Sequence, residues 1–269
     1  MPHKQYYKKY SKMDKLQIVK IGGTVLENEV SRRNFLSVFA SLKQPKILIH
    51  GGGKSATALA EKMSVPVQMK AGRRITDTAM LEIALMTYGG KLNKTITAEL
   101  QAMKTNAIGL SGADGNAVQA VKRPVSEIDY GWVGDVVQVN TKLFQHLCAL
   151  DLVPVCCSLT HDRQGQLLNT NADTMASEIA IALSEVFEVQ LIYCFEKQGV
   201  LLDIDDSSSL ISELTASDFK SLQATGQIAD GMIPKLTNCF HALEKGVDDI
   251  RIGPVAVLTE NISHTKICL

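Results

Sequence analysis

The residues of this chain best suited to chemistry are lysines set beside glycine clusters. Lys20 sits one residue before the end of the apolar run Leu16–Ile21, and Gly22-Gly23 follow that run directly. A second cluster, Gly51-Gly52-Gly53, follows Ile47-Leu48-Ile49-His50. Continuous apolar runs of this length read as buried strands of a parallel sheet. Glycines just past a strand's carboxyl end let the backbone approach a ligand and aim N–H groups at it. A helix that starts there adds partial positive charge. Two such loops, with a lysine beside the first, fit a polyphosphate held at the sheet edge and therefore phosphoryl transfer. A lysine on a buried strand is costly unless it meets a charge or solvent at the tip, which favours a phosphate-facing Lys20 over a surface lysine.

Three further groups could share that chemistry. Lys235 follows Pro234, a residue suited to a first helical turn. The helix dipole makes that a poor place for a lysine unless an anion is bound. Asn169-Thr170-Asn171-Ala172-Asp173 opens another helix. Asn171 can cap it, while Asn169 and Asp173 can face a ligand, the aspartate holding nearby lysines by ion pairing. Arg73-Arg74 follow Gly72, and a guanidinium grips a carboxylate through two parallel hydrogen bonds; a solvated charge pair is the other reading. Gly51-Gly52-Gly53-Lys54-Ser55 ends like a P-loop, but the glycine that motif needs at position 48 is Leu48. No dinucleotide fingerprint and no protein-kinase catalytic loop is present. The histidines form no metal-ligand spacing, so any Mg²⁺ is expected to arrive with a nucleotide.

The elements that position these residues alternate as an α/β fold requires. Strands are expected at 16–21, 46–50, 107–111, 152–157 and 189–194. Helices are expected around 30–42, 54–63, 77–104, 141–150, 171–184, 215–224 and 233–245. Cap candidates are Thr76 or Asp77, Asn140-Thr141 and Ser217-Asp218. The stretches 65–75 and 117–139 are short, β-branched and punctuated by glycine and proline, which predicts hairpins added to a parallel core. No composition break marks a linker, so two lobes sharing one sheet fit better than two independent domains.

Lysine plus arginine and aspartate plus glutamate both count 28, and this zero net charge argues against a nucleic-acid protein. No apolar stretch reaches the length of a membrane span. Residues 1–15 are polar and lysine-rich, with no secretory h-region, and are expected to be a tail. Six cysteines without a CxxC pair read as free buried thiols in a reducing cytoplasm.

Taken in order, Ile18-Val19-Lys20-Ile21-Gly22-Gly23, His50-Gly51-Gly52-Gly53, Gly72-Arg73-Arg74-Ile75-Thr76, Asn93-Lys94, Asn169-Thr170-Asn171-Ala172-Asp173 and Gly231-Met232-Ile233-Pro234-Lys235 resemble the N-acetylglutamate kinases of the amino-acid kinase (carbamate kinase-like) family. The likeness runs from about residue 16 to the end. It implies a three-layer αβα sandwich with a mainly parallel central sheet. Residues 16–165 would form an N-terminal lobe for the acylated amino acid and for homodimer contacts. Residues 166–269 would form an ATP-binding lobe. The implied reaction moves a phosphoryl group from MgATP, as co-substrate and with no tightly bound cofactor, to the side-chain carboxylate of N-acetyl-L-glutamate in arginine biosynthesis. By the same likeness Lys20 and Lys235 neutralise the transferring group and Asp173 orients both. Gly22, Gly23, Gly51 and Gly52 bind oxygens through N–H groups. Arg74 grips the substrate α-carboxylate, and Asn169 reads that carboxylate or the acylamide.

Three departures qualify the likeness. Phe195, Glu196 and Lys197 occupy a loop where the family usually carries an aspartate and small residues, so the adenosine contacts are open. The segment before the first strand is short, whereas arginine-inhibited relatives carry a longer N-terminal helix that joins dimers into hexamers, so the likeness implies a dimer without strong arginine feedback. Arg73 stands where relatives more often have an apolar residue, with Lys70 close by. Those extra cations could match a second carboxylate, making N-succinyl-L-glutamate an alternative substrate. A non-catalytic nucleotide-binding regulator on the same scaffold is the rival class, although such a protein could discard Lys20, Asp173 and Lys235.

Overall fold

The computed structural model describes residues 14–70, 72–228, 231–259 and 262–269. The tail expected over 1–15 therefore lies, except for its last two residues, outside the described residues, as does Asp230. Along the chain come β1 (Lys15–Ile21), α1 (Gly23–Glu27), α2 (Glu29–Ser41), β2 (Lys46–His50), α3 (Gly53–Lys62), β3 (Met69–Lys70), β4 (Arg73–Arg74) and α4 (Thr78–Ala84). A π-helical stretch (Leu85–Leu92) leads into α5 (Asn93–Ala102), β5 (Ala107–Leu110), β6 (Val118–Lys122), β7 (Gly134–Val139), α6 (Thr141–Ala149), β8 (Val153–Cys157), β9 (Leu159–His161) and β10 (Leu167–Asn169). The remainder is α7 (Ala172–Ser184), β11 (Glu188–Cys194), β12 (Glu213–Thr215), α8 (Ala216–Ala224), α9 (Ile233–Glu244), β13 (Asp249–Gly253) and β14 (Thr265–Cys268).

The main sheet has the order β12-β14-β13-β11-β1-β2-β8-β5. Only β13 and β14 run antiparallel within it. β1 lies at its centre, paired in parallel with β11 on one side and β2 on the other. The chain thus leaves β1 toward β2 and returns on the opposite side as β11. In open parallel sheets a ligand crevice forms outside the carboxyl ends of strands at such a reversal. The glycine clusters follow the ends of β1 and β2.

Alternation along β1 decides which way Lys20 points. Side chains two apart share a face. Leu16 and Ile18 pack with Met175, Ala176 and Ile179 of α7, while Val19 and Ile21 pack with Phe35, Phe39 of α2 and Ile96 of α5. Lys20 shares the parity of Leu16 and Ile18, so it faces the α7 layer. The sheet is therefore covered on both faces, giving three layers.

The hairpin expected at 65–75 is the short β3–β4 pair. That expected at 117–139 is β6–β7, which belongs to a four-stranded sheet ordered β10-β9-β6-β7. The strands β9, β10, β12, β13 and β14 were not expected from the sequence. The long helix expected at 77–104 runs from Thr78 to Ala102 with the π-helical stretch inside it. Asp77, not Thr76, caps it by accepting from the Met80 amide at 2.8 Å. Asn140 and Asn171 cap α6 and α7. The cap of α8 is Thr215, with Asp218 as its capping-box partner, rather than Ser217 or Asp218 itself.

Candidate active site

Asp173, in the first turn of α7, draws together two lysines from distant parts of the sequence. Its Oδ1 lies 2.7 Å from Lys20 Nζ and 3.0 Å from Lys235 Nζ. The three side chains are only 12–18% exposed. Asn171 accepts from the Asp173 and Thr174 amides at 2.8 and 3.1 Å and so fixes the start of α7. Lys235 occupies the first turn of α9, behind Pro234. The unfavourable dipole at that position is offset by the Asp173 carboxylate. Tyr193 is the β11 neighbour of Lys20 in the ladder, and its ring lies 5.0 Å from Lys235 Nζ. The Tyr193 hydroxyl donates to the Asp173 carbonyl at 3.2 Å and meets Ser177 Oγ at 2.7 Å.

Burial pushes the Asp173 carboxyl upward, but the two ammonium groups outweigh it and hold the group well below the usual carboxylate range. Burial pulls Lys20 below the ordinary lysine value; Asp173 opposes that shift and the nearby Lys235 charge adds to it. The site is a carboxylate shared by two cations, with net positive charge left for an anion.

Both glycine loops border this cluster. A Cβ built on Gly22 would stand 2.8 Å from Lys20 Nζ, so a side chain there would displace the lysine. Gly23 has φ +47°, a backbone region that L side chains rarely adopt. A Cβ on Gly52 would lie 2.5 Å from Tyr88 Cδ1 and 2.6 Å from Leu92 Cδ1. The π-helical stretch aims those two side chains at the loop, a use typical of π turns at functional sites. Gly52 is also the N-cap of α3 and carries no side chain to cap it. The orphan N–H groups of that first turn are thus left for a ligand.

His50 and Asn93 hold the second loop from behind, and neither role was evident in the sequence. The two residues are fully buried. Asn93 Nδ2 donates to the Val155 carbonyl at 2.8 Å and to His50 Nε2 at 3.1 Å. His50 Nδ1 then donates to the Gly51 carbonyl at 2.8 Å. Burial lowers the imidazole to about 4, keeping it neutral in this role. Lys94 Nζ lies 3.2 Å from Asn93 Oδ1 and completes the amide's partners.

Two cavities adjoin the loops and share Gly51, Gly52, Gly53, Met69 and Arg74 as a common wall. One contains Lys20, Gly22, Gly23 and Lys54. The other, of about 190 Å³, contains Arg73, Arg123, Ser158 and Asn169. Arg74 is anchored to the Gly53 carbonyl at 2.9 Å and Thr57 Oγ1 at 2.8 Å. Asn169 donates to Thr76 Oγ1 at 2.9 Å. Tyr88, Arg123 and Ser158 are lining residues that no local motif announced. A third cavity of about 400 Å³ lies beyond the end of β11, between Phe195, Val200, Leu202, Ile204, Ile228 and Met232. Among the described residues, no group of three or more His, Cys, Asp or Glu could hold a metal ion.

Comparison with known proteins agrees with this arrangement. The model of the amino acid kinase family matches residues 15–254. The chain is 48% identical to the acetylglutamate kinase of Bacteroides thetaiotaomicron, over 92% of this chain and 96% of that one. It is also 48% identical to the acetylglutamate kinase of Cytophaga hutchinsonii, over 94% and 97%. The N-acetylglutamate synthase of Neisseria gonorrhoeae, a solved structure, has the same fold, with TM-score 0.77 at 20% identity over 96% of this chain and 60% of that one. With a family match spanning nearly the whole described fold, this chain belongs to the amino acid kinase family.

Proposed function

We propose that this chain is an acetylglutamate kinase, transferring the γ-phosphoryl group of ATP to the side-chain carboxylate of N-acetyl-L-glutamate in arginine biosynthesis. The observation that carries the reading is the Lys20–Asp173–Lys235 cluster beside two adjoining glycine-walled cavities. The names of the relatives that match over nearly their full length support it.

In this reading the acyl glutamate occupies the cavity with Arg74 and Asn169, and the nucleotide phosphates approach the one with Lys20. A side-chain carboxylate oxygen attacks the γ-phosphorus, the bond to the ADP oxygen breaks, and an acyl phosphate forms. The carboxylate is already ionised, so no general base is required. Lys20 and Lys235 offset charge on the migrating group, and Asp173 keeps them converged. Gly22, Gly23, Gly51 and Gly52 offer N–H groups to its oxygens. Rate enhancement then comes from positioning and charge stabilisation. Mg²⁺ comes as the metal of the MgATP co-substrate. The apolar cavity at Phe195, Ile228 and Met232 suits the adenosine, since Met232 leads directly into the helix that carries Lys235.

The division at residue 165, with the acceptor before it and nucleotide after it, belongs to the same proposal. So do a cytoplasmic location and a homodimer. Among the described residues no helix is long and apolar enough to cross a membrane.

Hydroxylamine trapping tests the reaction. Incubation with MgATP and N-acetyl-L-glutamate is expected to yield the glutamyl hydroxamate with matching ADP release. ATP binding without acyl phosphate from either N-acetyl- or N-succinyl-L-glutamate would instead identify a nucleotide-binding regulator.

A further inference from the structure

The acceptor cavity carries more positive charge than an acetylated glutamate uses. Among the described residues its wall holds Arg73, Arg74 and Arg123 and no Asp or Glu, and of the three only Arg123 is ion-paired, to Asp135 behind the wall. In the reading above, the side-chain carboxylate turns toward the glycines and lysines, and the α-carboxylate occupies one guanidinium. The acetyl group brings no charge.

Two observations mark the surplus. Arg73 lies directly opposite Lys70 in the β3–β4 ladder. Like charges placed so are unfavourable, and among the described residues neither has an ion-pair partner. Arg123 pairs with Asp135 through Nε and Nη2, which leaves its Nη1 buried and without a partner. A buried donor left unpaired calls for an acceptor. Both anomalies are relieved by one more carboxylate in the same cavity.

We propose that the acyl subsite recognises a carboxylate at the far end of the acyl group. The preferred acceptor is then a glutamate N-acylated by a dicarboxylic acid, such as N-succinyl-L-glutamate. This rests on the kinase reading and names its substrate class. Arg73 supplies the planar pair of donors that a carboxylate takes up, and Arg123 adds a further N–H. The acetylated compound remains a slower substrate. The phosphoryl acceptor and the chemistry are unchanged.

Steady-state kinetics of the full chain with MgATP test this, using N-acetyl-, N-succinyl- and N-glutaryl-L-glutamate. The expected result is a kcat/KM for the succinyl compound at least about tenfold above that for the acetyl compound. Arg73→Leu and the milder Arg73→Gln are each expected to reduce that ratio about tenfold. Arg123→Lys, which keeps a cation for Asp135 but removes the guanidinium fork, is expected to reduce it as well. If the glutaryl compound replaces the succinyl one as the best substrate, with the same dependence on Arg73, the proposal stands. A ratio at or below one that Arg73→Leu leaves unaltered overturns it, while acetylglutamate turnover leaves the kinase reading standing. Failure of all three compounds to form acyl phosphate overturns both.

Discussion

Lys20 Nζ and Asp173 Oδ1 lie 2.7 Å apart at the end of the central strand, and Lys235 reaches the same oxygen at 3.0 Å. Sequence-distant cations thus share one carboxylate in a nearly buried site. Removing that carboxylate leaves two ammonium groups facing each other. Asp173→Ala is expected to destabilise the fold by about 3–5 kcal/mol, the usual cost of breaking a buried pair. Asp173→Asn keeps the shape, and its activity is expected to fall roughly 10²-fold or more as the lysines separate. Denaturant melts and kcat measurements check both.

Alkaline titration reads the same cluster. The Lys20 ammonium is held below the ordinary lysine value of about 10.4 by its burial. If Lys20 acts as a cation on the transferring group, kcat/KM for MgATP, which reports the free enzyme, declines on the alkaline side before pH ~10.4. Folding stability moves the other way. The unfolded chain keeps its proton longer than the folded one there, so the contribution of Lys20 to stability rises with pH across that window. A kcat/KM for MgATP that stays flat to the end of that window contradicts the role.

Acid stability is expected to fall in two stages. His50 is lowered to about 4 by burial, so the unfolded chain binds its proton first. Stability is lost as pH falls from ~6.5 toward 4, by about 3 kcal/mol in total. Asp173, held below its unfolded value, contributes stability that is complete above that value and is lost at still lower pH. His50→Gln is expected to abolish the first stage. Urea midpoints measured from pH ~7.5 down to about pH 2 distinguish the two.

Gly52→Ala places a methyl group into Tyr88 and Leu92. The loop must shift, because both side chains are buried. A displacement near 1 Å at a reacting centre costs on the order of 10² in rate, and kcat/KM for the acyl glutamate is the measurement. By contrast, Lys46 lies far from the cluster. Its Nζ donates to the carbonyls of Phe39, Ala40 and Leu42 at 2.8–2.9 Å, closing the end of α2. Lys46→Met is expected to cost roughly 1–3 kcal/mol of stability and leave kcat intact.

The parallel core was legible because β1, β2, β8 and β11 are apolar runs, and the starts of α4, α6 and α7 carry capping side chains. β13 was not. Its Asp249 and Arg251 interrupt the apolar pattern, yet they pair with each other at 2.8 Å and so tolerate the sheet. β9 and β10 are three residues each, too short for periodicity. At the site, glycine clusters and oddly placed lysines pointed to an anion. The His50–Asn93 support left no such mark, since its meaning depends on the two residues meeting across the fold. Arg123 likewise follows an ordinary strand, and only the cavity gives it context.

The most direct test of the account is kcat for acyl phosphate formation by Lys20→Met and Lys235→Met, each at saturating MgATP and acyl glutamate. Two cations acting on one migrating phosphoryl group predict a drop of roughly 10²–10³ for each variant, with folded protein and little change in the acyl glutamate KM. Retention of kcat within a few-fold of the parent by either variant contradicts the shared role.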